Sequence, residues 1–109
     1  MTAFIQDQAE FETLRANTSL LVVDCTASWC GPCKVIAPFI DQLAENYSDR
    51  AKVMKLDIDA HKALGKELGL KSIPAVIFFK DGEVMETMVG VKTYADYSNT
   101  IEKYLPESI

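Results

Sequence analysis

Apolar positions along the chain alternate between short continuous runs and helical repeats. Leu20-Leu21-Val22-Val23 is apolar on both alternating faces and β-branched at its end, which predicts a strand buried on both sides in mid-sheet. From Cys33 the period lengthens: Ile36, Phe39, Ile40, Leu43 and Tyr47 stand at helical offsets. Pro38 interrupts that repeat, where its missing donor predicts a kink. Residues 53–58 predict a second strand, and residues 60–68 a short helix with Leu64 and Leu68 one turn apart and Gly69 as its stop. Residues 75–79 form a third apolar run. Asp81-Gly82 then signals a tight turn, with residues 84–89 as the return strand of a hairpin. Near the start, Asp7-Gln8-Ala9-Glu10 predicts a capping box ahead of an apolar face of Phe11 and Leu14. Near the end, Thr93-Tyr94-Ala95-Asp96 predicts a cap on a helix whose apolar side is Tyr97, Ile101, Tyr104 and Leu105. This order implies an α/β sandwich with a parallel portion and an antiparallel pair.

Length and composition narrow the picture. With 109 residues, and no repeat, linker or low-complexity tract, residues 1–109 are expected to form one domain. A hydrophobic content of 49% with 25% charged residues fits a packed core and argues against disorder. No apolar run reaches membrane-span length, so no membrane association is expected. Sixteen acidic against eleven basic residues leave a net charge of −5, which disfavours a nucleic-acid partner because such binding needs a cationic face. The first residues carry no basic region and no long apolar stretch, so a secretory signal is not expected. The expected location is the cytoplasm, or an organelle stroma if a transit peptide has been removed.

Three cysteines are too few for a disulfide scaffold, and two stand close together in Trp29-Cys30-Gly31-Pro32-Cys33-Lys34. That segment lies where the 20–24 strand gives way to the long helix. Two intervening residues at a helix start put both sulfurs on one turn, within bridging distance. Unpaired N–H groups and the positive end of the helix dipole favour a thiolate at the first cysteine. The thiolate is the attacking species in disulfide exchange. Pro32 suits a first turn, where its missing donor is not needed, and stiffens the loop. The outermost Cys30 is expected to attack a substrate disulfide, and the more shielded Cys33 to resolve the mixed disulfide. Asp24, an acid ending an apolar strand, is the candidate proton acceptor for Cys33, with a pKa raised by burial; a plain strand-end acid is the alternative. Lys55, on the next strand, either tunes Asp24 or is an edge-facing surface lysine.

Metal readings of the same residues are weaker. A structural zinc site needs four ligands, and zinc ribbons use two Cys-x-x-Cys pairs where this chain has one. Cys25, Cys30 and Cys33 match the first three ligand spacings of a plant-type iron–sulfur protein, but no fourth cysteine follows. A cluster shared between two chains is the alternative; otherwise no metal is expected, and no cofactor. Cys25 reads as an inert, buried thiol on the opposite strand face from Asp24. His61 reads as an exposed helix-start residue without a role.

The segment from Trp29 to Lys34, following a strand that carries Asp24, resembles the active site of the thioredoxin family. Val35-Ile36-Ala37-Pro38, Lys55-Leu56-Asp57-Ile58-Asp59, Ser72-Ile73-Pro74-Ala75, Phe79-Lys80-Asp81-Gly82-Glu83 and Val89-Gly90-Val91 extend the resemblance, in order, over nearly the whole chain. It implies a thioredoxin-like three-layer sandwich, a central five-stranded mixed sheet flanked by four helices. It also implies a cis Ile73–Pro74 bond and an Ile73 backbone free to pair with an extended substrate. Trp29, Gly31, Pro32, Ile73, Pro74, Gly90 and Val91 would then contact substrate around Cys30. One departure stands out: the family commonly carries Phe and Trp where this chain has Cys25 and Thr26, which leaves Trp29 as its one tryptophan.

The resemblance implies a protein-disulfide reductase that cycles between a Cys30/Cys33 dithiol and disulfide. Its expected partners are disulfide-containing target proteins and a separate thioredoxin reductase, NADPH- or ferredoxin-linked, with the protein acting as a monomer. An oxidase or isomerase variant and a binding scaffold on the same fold are the alternatives.

Overall fold

A computed structural model describes residues 2–106. The elements run α1 (Gln8–Asn17), β1 (Leu20–Thr26), α2 (Gly31–Asn46), β2 (Lys52–Asp57), α3 (Lys62–Glu67), β3 (Ala75–Lys80), β4 (Glu83–Val89) and α4 (Tyr94–Tyr104). The sheet order is β2-β1-β3-β4, with β1 parallel to β2 and antiparallel to β3, and β3 antiparallel to β4. The sheet therefore has four strands among the described residues, not five. The fifth is reduced to one parallel bridge between Phe4 and Lys55, held by Ile5 N–H to the Lys55 carbonyl (2.8 Å) and Lys55 N–H to the Ala3 carbonyl (2.9 Å). The α1 cap at Asp7 turns the chain away before a longer ladder can form.

Strand β1 is buried on both faces, and its alternate residues serve two cores. Leu20 and Val22 pack with Ile36, Ile40 and Leu43 of α2 and with Tyr97 and Ile101 of α4. Leu21, Val23 and Cys25 pack on the other side with Phe11 of α1, Leu64 of α3 and Phe79 of β3. Phe11 meets Phe79 edge-on at 5.7 Å between ring centroids, a favoured aromatic arrangement. The result is three layers, with helices on both faces of the sheet.

Local chemistry sets the element ends. Asp81 and Gly82 both take positive φ (51° and 86°), the turn that matches strand twist in a two-residue hairpin. The β3–β4 register shifts at Phe78/Phe79, a bulge that leaves Met85 without a partner across the ladder. Thr93 and Asp96 form the expected reciprocal capping box on α4. At α1 only half of the box forms: Asp7 accepts from Glu10 N–H, but the Glu10 carboxylate takes the Gln6 N–H rather than that of Asp7. Helix α3 begins two residues later than expected, because Asp57 Oδ1 accepts from the N–H groups of Asp59 (2.9 Å) and Ala60 (3.2 Å) and holds a turn there. His61 becomes the N-cap of α3 without a side-chain capping bond, and is half-buried rather than exposed. Pro38 lies within α2, so the Lys34 carbonyl one turn earlier has no helical donor.

Candidate active site

Strand β1 ends at Thr26 and α2 begins at Gly31, so the linker delivers Cys30 as the N-cap of α2. Cys30 and Cys33 are joined in a disulfide, with their Cα atoms 5.3 Å apart. Cys30 Sγ accepts the Cys33 N–H at 3.2 Å, one of the helix-start donors that would otherwise lack a partner. Gly31 and Pro32 form the exposed first turn between them, with Pro32 at a position that needs no N–H. The expected difference in shielding is absent from this disulfide state, since both cysteines are 3% exposed. The asymmetry lies instead in their places on the helix: one sulfur caps the end, and the other side chain sits inside the first turn.

Two cavities flank the pair. One, of about 210 Å³, is lined by Cys33, Lys34 and Ala37 of α2, by Asp24 and Thr26 of β1, and by Lys55 and Asp57 of β2, with Phe4 at its edge. Asp24 is 1% exposed, and among the described residues its Oδ1 has no hydrogen-bond partner. Burial raises its pKa from 3.8 to about 7, against the opposing charge of Lys55 and with a further upward push from Asp41. Lys55 is the register partner of Asp24 across the β1–β2 ladder. Its ammonium lies 5.6 Å from the Phe4 ring centroid, and the residue is half-buried, not an edge-facing surface lysine.

The second cavity, of about 300 Å³, is lined by Trp29, Ile58, Leu70, Lys71, Ser72 and Ile73. Ile58 and Ile73 also pack against Cys30 and Cys33. Trp29 is 66% exposed, with its indole N–H bonded to the Asp59 carboxylate. The Ile73–Pro74 peptide bond is cis, as the resemblance implies. The Pro74 carbonyl accepts the Gly90 N–H at 2.8 Å, and Gly90 takes φ +89°, a conformation open to glycine. Among the described residues no backbone hydrogen bond engages Ile73. Val91 is half exposed beyond Gly90 and lines neither cavity.

Cys25 is buried on the face opposite Asp24, where burial and the Asp24 charge push its thiol pKa far up. Among the described residues no three of the His, Cys, Asp and Glu side chains gather as metal ligands. Sequence patterning passed over Asp41, Asp59 and Leu70. Asp41 and Asp59 gain partners only from distant segments, Thr2 and Trp29, and Leu70 carries no motif.

Residues 2–103 match the family model described as Thioredoxin. Thioredoxin 1 of Synechococcus elongatus is 39% identical over 86% of this chain and 87% of its own length. The chloroplastic M-type thioredoxin of Spinacia oleracea is 45% identical over 93% of this chain, which spans 56% of that protein. A mutant thioredoxin from Halobacterium salinarum superposes with a TM-score of 0.90 at 30% identity, covering 99% of this chain and 94% of that one. The chain belongs to the thioredoxin family, and its activity is protein-disulfide reduction by thiol–disulfide exchange.

Proposed function

We propose that Cys30 is the nucleophile, Cys33 the resolving thiol and Asp24 the proton acceptor of this exchange. The observation that carries these roles is the position of Cys30 as helix N-cap, with its sulfur already accepting a backbone N–H that would stabilise a thiolate. The Cys30 thiolate attacks one sulfur of a target disulfide, forming a mixed disulfide and releasing the other sulfur as a thiolate. Cys33 then gives its proton to Asp24 across the shared cavity and attacks Cys30 Sγ. The second target thiolate leaves and is protonated, and two electrons have passed from the Cys30/Cys33 dithiol to the target. A carboxyl with a pKa of about 7 is suited to that transfer near neutral pH. Lys55, beside Asp24, holds that pKa down against burial.

Substrate docks along Trp29, Gly31, Pro32, Ile73, Pro74, Gly90 and Val91. The unengaged Ile73 backbone offers strand-like pairing to an extended target segment, and the apolar cavity beside Trp29 receives a side chain. The chain acts as one domain and a monomer, without cofactor or nucleic acid, in the cytoplasm or an organelle stroma. A thioredoxin reductase, NADPH- or ferredoxin-linked, returns two electrons and two protons. Disulfide reduction of insulin tests the assignment. Cys30→Ser should abolish turnover, while Cys33→Ser should trap a mixed disulfide at Cys30. Activity that survives Cys30→Ser would overturn the assigned nucleophile, and partner function that survives loss of both thiols would favour a binding scaffold.

A further inference from the structure

One helical turn beyond Ala37, which lines the cavity behind the disulfide, α2 carries a further acid, Asp41. Cys33, Ala37 and Asp41 stand at successive four-residue steps on α2, so they share one helix face. The small Ala37 leaves open the space that Asp24 and Lys55 also line. The Asp41 carboxylate is held in place from the N-terminal segment. Thr2 donates to Asp41 Oδ1 twice, from its backbone N–H (3.0 Å) and its hydroxyl (2.6 Å), and Thr2 itself is buried. That segment also fixes Lys55, through the backbone bonds of Ala3 and Ile5 and the Phe4 ring over the ammonium. Residues 2–5 thus hold both charged neighbours of Asp24.

We propose that Asp41, fixed by Thr2, is a positioning residue of the resolving step, setting through its charge the pH at which Asp24 releases and accepts a proton. This rests on the reading of Asp24 as the acceptor for Cys33. Asp24 feels four surroundings. Lys55 is its register partner on β2, the charge of Asp41 on α2 reaches it, the neutral Tyr97 phenol lies on α4, and the neutral Cys25 thiol is its own neighbour on β1. Lys34 and Asp57 line the same cavity. Among these, Lys55 and Asp41 are the charges that act on Asp24, in opposite directions. The two Thr2 bonds hold the Asp41 pKa below the usual carboxylate range, so Asp41 remains an anion throughout the range in which Asp24 titrates. A fixed anion there makes ionisation of Asp24 harder and keeps its proton affinity near neutrality.

The test is Asp41→Asn, which keeps an oxygen acceptor for Thr2 and removes the charge. The Asp24 midpoint is followed by carboxyl-carbon NMR in the oxidised protein, and the acid limb of insulin reduction is followed in parallel. The midpoint should fall by about half a pH unit or more, the scale of one charge acting across a partly solvated interior. The acid limb should move with it. Asp41→Glu should restore most of the wild-type midpoint, and Lys55→Gln should shift it the other way. A midpoint that is unmoved in Asp41→Asn, or that rises, overturns the proposal. So does an Asp41→Asn shift that Asp41→Glu reproduces, since that would trace to packing rather than charge. Asp24→Asn separates the two claims: if its reductase profile keeps the wild-type acid limb, the acceptor reading fails independently of the Asp41 result.

Discussion

Replacing Asp24 with Asn should make the oxidised protein more stable, by an amount that grows with pH. Asp24 is 1% exposed, its Oδ1 has no hydrogen-bond partner among the described residues, and its pKa is raised from 3.8 to about 7. The folded state therefore retains a proton that the unfolded chain releases above pH 3.8, and native stability falls as pH rises from there to about 7. At 1.36 kcal/mol per pKa unit, that gap corresponds to about 4 kcal/mol lost once the acid is fully ionised. Asparagine has nearly the same shape and cannot ionise. The variant should match wild type below about pH 4 and exceed it by up to about 4 kcal/mol above the Asp24 midpoint. Urea unfolding of the two proteins from pH 4 to pH 9 measures the difference, and general charge repulsion in this acidic chain cancels between them. With a slope of about 1–3 kcal/mol per molar urea, the midpoint should rise by more than about 1 M at the alkaline end. A gain of constant size at every pH would refute the reasoning, because it would trace to packing or hydrogen bonding rather than to a buried charge.

Two further outcomes follow from residues around the site. Cys25, with its thiol pushed far up by burial, should resist iodoacetamide in the folded, reduced protein from pH 7 to pH 9 and react only in denaturant, while Cys30 is modified quickly; comparable rates in the folded state would contradict its placement. Asp59→Ala should release the Trp29 indole and shift its fluorescence, and should raise KM for protein disulfides about fivefold, the equivalent of about 1 kcal/mol of lost hydrogen bonding. Global unfolding should barely change, since both residues are exposed; an unfolding loss larger than the change in KM would assign the pair to stability instead.

What could be read along the chain was whatever a local period determines. Strand β1 alternates between two cores, so Asp24 and Cys25 had to face opposite layers, and they do. The Cys30–Cys33 spacing at a helix start places two sulfurs on one turn whatever lies around them. The limits appear where meaning depends on what sits across from a residue. Asp41 is an ordinary acid on an amphipathic helix until Thr2, 39 residues away, supplies two hydrogen bonds. Asp59 gains a partner only because the Trp29 indole N–H reaches its carboxylate. The expected fifth strand fails for a related reason, since the chain is committed to the α1 cap at Asp7 three residues after Phe4 bridges Lys55.

The same distinction explains why the two cysteines are equally shielded while differing in their hydrogen bonding. Burial is a collective result of Ala27, Ile58 and Ile73 closing over both sulfurs, and no spacing rule reports it. Capping is local, and it separates Cys30 from Cys33 whatever packs around them. A thiolate at Cys30 is thus favoured by a feature that α2 carries in its own first turn. On the proposed roles, the proton from Cys33 depends on a carboxylate delivered by β1, a lysine by β2 and an anion held by Thr2. If Cys30 attacks and Cys33 resolves as proposed, attack is encoded locally and resolution is assembled from distant parts, so substitutions far from the cysteines in sequence should act chiefly on the second step.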